Sequence, residues 1–286
     1  MNHWILAARP KTLAAALIPV TTATALAFAE GHGQWIPALL CCLFAALMQV
    51  AANFINDLFD FTRGSDRDDR LGPERACAQG WITPRAMKRG IAVVLILACA
   101  AGCSLLPFGG WPLVGIGTAC VVFAFLYTTL LSYMGCGDLL VWIFFGFVPV
   151  CGTYFVQAGD ITPSVWWLAA ATGLVTDTLL VLNNYRDREQ DALSGKRTLI
   201  VALGERFGSH FYWWQGVLAC LCTSMLFFYS HPWAALLPWF YLVPHYLTWR
   251  NMVRIHRGRG LNRILGLTSR NMLIFALLFI LGCLIG

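Results

Sequence analysis

Apolar runs of nearly membrane-spanning length recur along the whole chain, at 12–29, 36–56, 90–107, 111–131, 138–157, 162–184, 211–229, 232–249 and 267–285. About 20 residues cross roughly 30 Å of hydrocarbon at 1.5 Å per residue, so most of these runs fit one helical crossing. Lipid offers open backbone no hydrogen-bond partners, which leaves helices and closed barrels as the only spanning structures. Barrel strands would read as short alternating segments, and these runs are long and continuously apolar. The expectation is an all-α polytopic membrane protein, a single transmembrane domain over residues 1–286 built as a nine-transmembrane-helix bundle. The runs at 211–229 and 232–249 lie so close that they predict a tight hairpin. Only 12% of residues are charged, against about 25% in soluble domains.

Charge placement tests that topology independently, because Lys and Arg favour the cytoplasmic side of short loops. With the N-terminus inside, Arg9 with Lys11, the loop from Arg63 to Arg89, the loop from Arg186 to Arg206 and the loop from Arg250 to Arg270 are all cytoplasmic. They hold two, seven, five and six basic residues, which accounts for all 20 in the chain. The opposite connections, around His32, Gly109, Asp160 and His231, hold none. The C-terminus is then outside. The net charge of +6 reads as a belt facing anionic headgroups, and no soluble basic face suggests nucleic acid.

Eleven cysteines suggest metal or disulfide chemistry, and neither fits. The count is odd, Cys41 and Cys42 are adjacent, and most of the others fall inside apolar runs, where Cys acts as a small apolar residue. No pair has zinc-ligand spacing with histidines nearby. Arg9-Pro10-Lys11 leads straight into a full-length span, without the small-residue site at which a signal peptide is cleaved.

Function is expected in the two longest hydrophilic stretches, about 57–89 and 185–210. Helix neighbours three and four apart share a face. Asn53, Asn56, Asp57 and Asp60 therefore form one amide and carboxylate stripe at the end of the second span. Asn183, Asp187 and Asp191, with Asn184, repeat that pattern at the end of the sixth. The four-span interval suggests a distant internal duplication. Both stripes end at the cytoplasmic interface, and two acidic faces at one depth repel each other unless a cation lies between them. Oxygen ligands without His or Cys select Mg²⁺, which binds a few carboxylates and completes its shell with substrate phosphates. An acidic residue at a single helix end is usually only solvated, but two matching stripes on one side point to a metal and polyanion site.

These motifs resemble the UbiA superfamily of intramembrane prenyltransferases, whose paired aspartate-rich motifs look like Asn56-Asp57-Leu58-Phe59-Asp60 and Asp187-Arg188-Glu189-Gln190-Asp191. Ala8-Arg9-Pro10-Lys11-Thr12-Leu13, Gly64-Ser65-Asp66, Arg70-Leu71-Gly72-Pro73, Gly80 with Ile82-Thr83, and Gly195-Lys196-Arg197-Thr198-Leu199 are similar to the 1,4-dihydroxy-2-naphthoate polyprenyltransferase branch. The likeness covers about residues 8–206. Asp66 is the next acid where the wider superfamily often has an aspartate at the position of Gly64. The resemblance implies a UbiA-type bundle that holds an all-trans polyprenyl diphosphate through Mg²⁺, in a bacterial inner membrane. Asp57, Asp60, Asp187 and Asp191 would ligate the metal, supported by Asn53, Asn56, Asn183 and Asn184. Arg63, Arg70, Lys196 and Arg197, and less directly Arg9 and Lys11, would balance the charge of the leaving pyrophosphate. Asp66 and Tyr127 complete the implied substrate set. The acceptor would be dihydroxynaphthoate, prenylated with loss of CO₂ to demethylmenaquinone, with no nucleic acid involved.

One departure is the stretch Thr128–Met134, about three residues shorter than the family's usual connection and without Lys or Arg. Asp138 reads as an ordinary helix cap, and Asp177 as a buried polar partner or a substrate neighbour. The same donor motifs also admit other acceptors, namely 4-hydroxybenzoate, haem or a chlorophyllide. A secondary transporter is the alternative from another class, although its acids belong at the midplane.

Overall fold

The computed structural model describes residues 2–64, 71–131 and 134–286, apart from the side chain of Lys11. Among them all regular structure is helical: α1 (His3–Ala8), α2 (Pro10–Ala29), α3 (Trp35–Thr62), α4 (Pro84–Cys103), α5 (Leu106–Gly109), α6 (Pro112–Thr129), α7 (Gly137–Trp142), α8 (Val148–Ala158), α9 (Pro163–Leu193), α10 (Leu199–Ser224), α11 (Pro232–Leu236), α12 (Leu242–Ile255) and α13 (Leu261–Ile285). Proline opens α2, α4, α6, α9 and α11. A first-turn N–H has no helical acceptor, so its absence there costs nothing. Thr83 and Thr198 cap α4 and α10, their hydroxyls accepting from the N–H of Ala86 and Val201 as N-cap side chains do.

A π-helical turn at Ile143–Phe147 joins α7 to α8, so that Gly137–Ala158 runs as one apolar helix. The turn contains Gly146, whose bare backbone meets Gly173 of α9: a Cβ on Gly146 would lie 2.8 Å from the Gly173 Cα. Any larger residue would force α8 and α9 apart.

Among the described residues, eight helices are long and apolar enough to cross a membrane, one fewer than the nine spans expected. The difference falls at 232–249, where α11, a 3-10 turn at Leu237–Tyr241 and α12 follow one another as short pieces. Pro238 and Pro244 interrupt the ladder of backbone bonds there, and His245 dilutes the apolar run.

α9 is the central element, packed along α10, while α3 packs on α4 and α2 on α13. Buried residues occur along α9 from Ser164 to Arg186, whereas α6 buries only Thr128. Trp111, Ile96, Leu277 and Leu284 stand exposed, as expected of a surface whose solvent is lipid.

The bundle has two polar ends. At one, the Glu30 carboxylate after α2 accepts bonds from Tyr154, Thr162 and Ser164 and lies 3.1 Å from His231 Nε2. Burial alone would raise the Glu30 carboxyl, but the bonds from His231, Ser164 and Tyr154 outweigh it and hold it down at about 2, from 4.5. The other end gathers α1, the ends of α3, α9 and α12, and the starts of α4, α10 and α13. Both acidic stripes lie there.

Candidate active site

The α3 stripe is held mainly by the protein itself. Asp57 is buried, and its two oxygens accept the backbone N–H groups of Ala76 and Cys77, each at 2.9 Å. Those amides open the short turn 75–80, closed by bonds from Gln79 to Arg75 and from Trp81 to Ala76, so Asp57 acts as its cap. Arg75, at the same turn, pairs with Asp60. Asn56 Oδ1 accepts the buried Thr128 hydroxyl. Asn53 Nδ2 donates at 2.9 Å to Ala8 O and to Thr12 Oγ1, which ties α3 to α1 and α2. Arg63 donates to the carbonyls of Thr128 and Thr129 at 3.3 and 2.6 Å and so closes the end of α6.

The α9 stripe is less enclosed. Asp187 is gripped by Arg186, Nε to Oδ1 at 2.7 Å and Nη2 to Oδ2 at 2.6 Å. Gly195, in the left-handed region at φ 76°, turns the chain so that the Lys196 N–H reaches Asp191 O at 2.9 Å. The Lys196 ammonium then stands 3.7 Å from Asp191 Oδ1. Asp191 Oδ2 is buried with no hydrogen-bond partner among the described residues. Asn183 donates back to Leu179 O along its own helix, Asn184 is buried, and Arg197 is exposed.

Tyr127, on α6, borders two pockets, one lined by amides from the end of α3 and the other by Asn184 of α9. It lines a cavity of about 330 Å³ between α2, α3, α6 and α8, together with Asn53, Asn56 and Thr128 at one end and apolar residues such as Phe44, Phe144 and Val156 over the rest. It also lines a small neighbouring pocket with Asn184, Lys196 and Asp138. A long apolar chamber thus ends in a polar rim fed by both helix ends, the shape needed for a ligand with an apolar body and an anionic head.

Residues 16–264 match the UbiA prenyltransferase family. The chain belongs to that family. It is 33% identical to a 1,4-dihydroxy-2-naphthoate octaprenyltransferase of Escherichia coli, over 98% of this chain and 94% of the relative. An enzyme of the same description from Mycobacterium tuberculosis is 35% identical, over 96% of this chain and 94% of the relative. The structure of a UbiA homologue from Archaeoglobus fulgidus bound to GPP and Mg²⁺ shares the fold at TM-score 0.70 and 14% identity, over 99% of this chain and 98% of that one.

In this UbiA prenyltransferase the donor set at the rim suits a hard cation. The stripe carboxylates offer oxygen alone, and Asp191 Oδ2 is buried without a hydrogen-bond partner among the described residues, although Lys196 stands 3.7 Å from the other oxygen. No three His, Cys, Asp or Glu side chains converge at ligand spacing among the described residues, so a metal would need substrate oxygens to complete its shell. The expected site residues Asp66 and Arg70 lie outside the described residues, as do Ser132 and Tyr133 of the shortened connection and the Lys11 side chain.

Four residues here escaped the sequence reading: Arg75, Thr128, Arg186 and Asn262, whose partners become visible only once the chain is folded. Asp138 also departs from expectation. Cys136 occupies the cap position of α7, and Asp138 is buried beside the small pocket with Oδ1 unpartnered among the described residues. Asp177, read as either a packing partner or a substrate neighbour, is buried, with one oxygen accepting from Gln215 of α10 and Oδ1 unpartnered among the described residues.

Proposed function

We propose that this UbiA prenyltransferase transfers a polyprenyl group from an all-trans polyprenyl diphosphate to 1,4-dihydroxy-2-naphthoate with loss of CO₂, giving demethylmenaquinone, first as its quinol. The observation that carries the reading is the polar rim of an apolar cavity at Tyr127, lined by Asn53 and Asn56 from the end of α3 and adjoined by a pocket holding Asn184 of α9 and Lys196. The naphthoate acceptor is supported by the names of the relatives in Escherichia coli and Mycobacterium tuberculosis. Magnesium is supported by the Archaeoglobus fulgidus homologue, whose structure is bound to GPP and Mg²⁺.

In this reading the prenyl tail lies in the cavity and the diphosphate at the rim. Asn56, Asp60, Asp187 and Asp191 face the diphosphate, while Asp57, expected from the resemblance as a metal ligand, has both oxygens engaged by the Ala76 and Cys77 amides of the turn that carries Arg75. Bound Mg²⁺ would neutralise the charge that develops on the leaving pyrophosphate. Lys196, Arg63 and Arg197 add positive charge around the same anion. As the C–O bond breaks, its electron pair leaves with pyrophosphate. An aromatic carbon of the acceptor supplies the pair for the new C–C bond, and the pair of its bond to the carboxylate restores the ring as CO₂ departs. The apolar walls exclude the water that would otherwise capture the cation, and the rings of Phe44, Phe144 and Tyr127 offer π faces to it. The basic loops support a cytoplasmic position for this rim.

The test is an acceptor screen with purified protein, reading product mass and CO₂. Dihydroxynaphthoate should give the prenylated, decarboxylated product only with Mg²⁺ present. Turnover of 4-hydroxybenzoate in preference to dihydroxynaphthoate would replace the acceptor, and metal-independent turnover would remove the magnesium.

A further inference from the structure

Asn262, at the start of α13, touches both halves of the rim. Its Oδ1 accepts from Arg186 Nη1 at 2.8 Å, and its Nδ2 donates to Leu71 O at 2.8 Å. Arg186 is the residue that grips Asp187 with its other two nitrogens, and Leu71 begins the segment whose turn engages Asp57 and Asp60. One amide thus joins the segment after α3 to the end of α9.

This link is needed for a geometric reason. Adjacent residues on a helix point about 100° apart and do not face each other. Arg186 can chelate Asp187 only by folding its long side chain across the helix surface, and something outside α9 must hold it there. The guanidinium is nearly buried, with the side chain 3% exposed, so a lost Nη1 bond would not be replaced by bulk water.

We infer that Asn262 is a positioning residue for diphosphate binding: through Arg186 it fixes the orientation of Asp187, and through Leu71 it holds the first acidic segment at the same rim. The inference rests on the reading that this rim receives a prenyl diphosphate. It places part of the site's geometry in α13, a helix that carries none of the acidic motifs.

The experiment compares wild-type protein with Asn262→Leu, which preserves volume, and Asn262→Asp, which keeps an oxygen for Arg186 and loses the donor to Leu71. Two quantities are read: KM for the prenyl diphosphate during turnover, and Kd for geranyl thiodiphosphate, whose bridging sulfur resists ionisation, by calorimetry. Asn262→Leu should raise both about tenfold, the size expected for losing a charge-assisted hydrogen bond, with kcat changed less. Asn262→Asp should recover both to within about threefold. In an Arg186→Ala background, Asn262→Leu should add at most the roughly threefold loss that comes through Leu71. A lowered melting temperature with unchanged KM and Kd, or an Asp variant no better than Leu, overturns the inference. Wild-type protein that binds the thiodiphosphate but prenylates no naphthoate would instead contradict the proposed acceptor, and the Kd comparison would still judge Asn262.

Discussion

The ends of α3 and α9 carry nearly the same letters and are built differently. At α3 the polar groups already have protein partners: Asp57 has two backbone amides, Asp60 has Arg75, and Asn56 has Thr128. At α9 the Arg186 and Lys196 cations flank the carboxylates, and Asp191 keeps a buried oxygen without a partner among the described residues. A satisfied carboxylate contributes to folding, whereas a buried unsatisfied one costs stability and is retained where a ligand completes it. At the first end Asp57 therefore acts as a frame, leaving Asp60 to share the substrate head group with the second end, which is the more open of the two.

That contrast is most open to attack at Asp191. Asp191→Asn should lower kcat/KM by about 10²–10³, the loss typical of removing one group that stabilises transition-state charge, while leaving the melting temperature unchanged or higher. A parallel fall in stability would erase the distinction between the two ends. Asp57→Asn should do the reverse. It places an amide nitrogen against the N–H groups of Ala76 or Cys77 and should cost about 2–3 kcal/mol, seen as a lower melting temperature in detergent. The variant that stays folded should keep most of its activity. Thr128→Val is a milder probe of the same frame: it preserves shape, strands Asn56 Oδ1, and should cost about 1 kcal/mol.

The smallest effect belongs to the opposite end of the bundle, where Glu30 joins α2 to the start of α9 and to the segment before α11. Its carboxyl is held at about 2, below the ordinary 4.5, so the charged form is favoured by folding. The sign follows: this stabilisation is complete above about 4.5 and is lost as pH falls through about 2. Glu30→Gln should lower the melting temperature by a few degrees at pH 7 and leave kcat/KM unchanged. The gap between variant and wild type should close on acidification.

The sequence carried the bundle and both stripes, because apolar length and helical periodicity are local properties. It also placed Asp57 and Asp60 on one face, but periodicity says which side chains share a face and not what lies opposite. The partners of those residues come from 15 to 72 positions away, as for Arg75 with Asp60 and Thr128 with Asn56, and no local pattern announces them. Arg186 was hidden for another reason, since adjacent helical residues are not expected to pair. Asn262 falls within the basic loop from Arg250 to Arg270, ahead of the last apolar run, where nothing in the sequence marks it. At 232–249 the run is long enough, yet two internal prolines and the polar residues after them divide it into short helical pieces.

The account depends on both helix ends holding one and the same diphosphate. The direct measurement is the Mg²⁺-dependent Kd of geranyl thiodiphosphate for wild type, Asp60→Asn, Asp191→Asn and the double variant. A shared anion predicts that each single change weakens binding strongly and that the double change is far less than the product of the two, a coupling of at least about tenfold. Two effects that simply multiply, or a Kd that ignores either residue, would show that the helix ends do not act on one ligand.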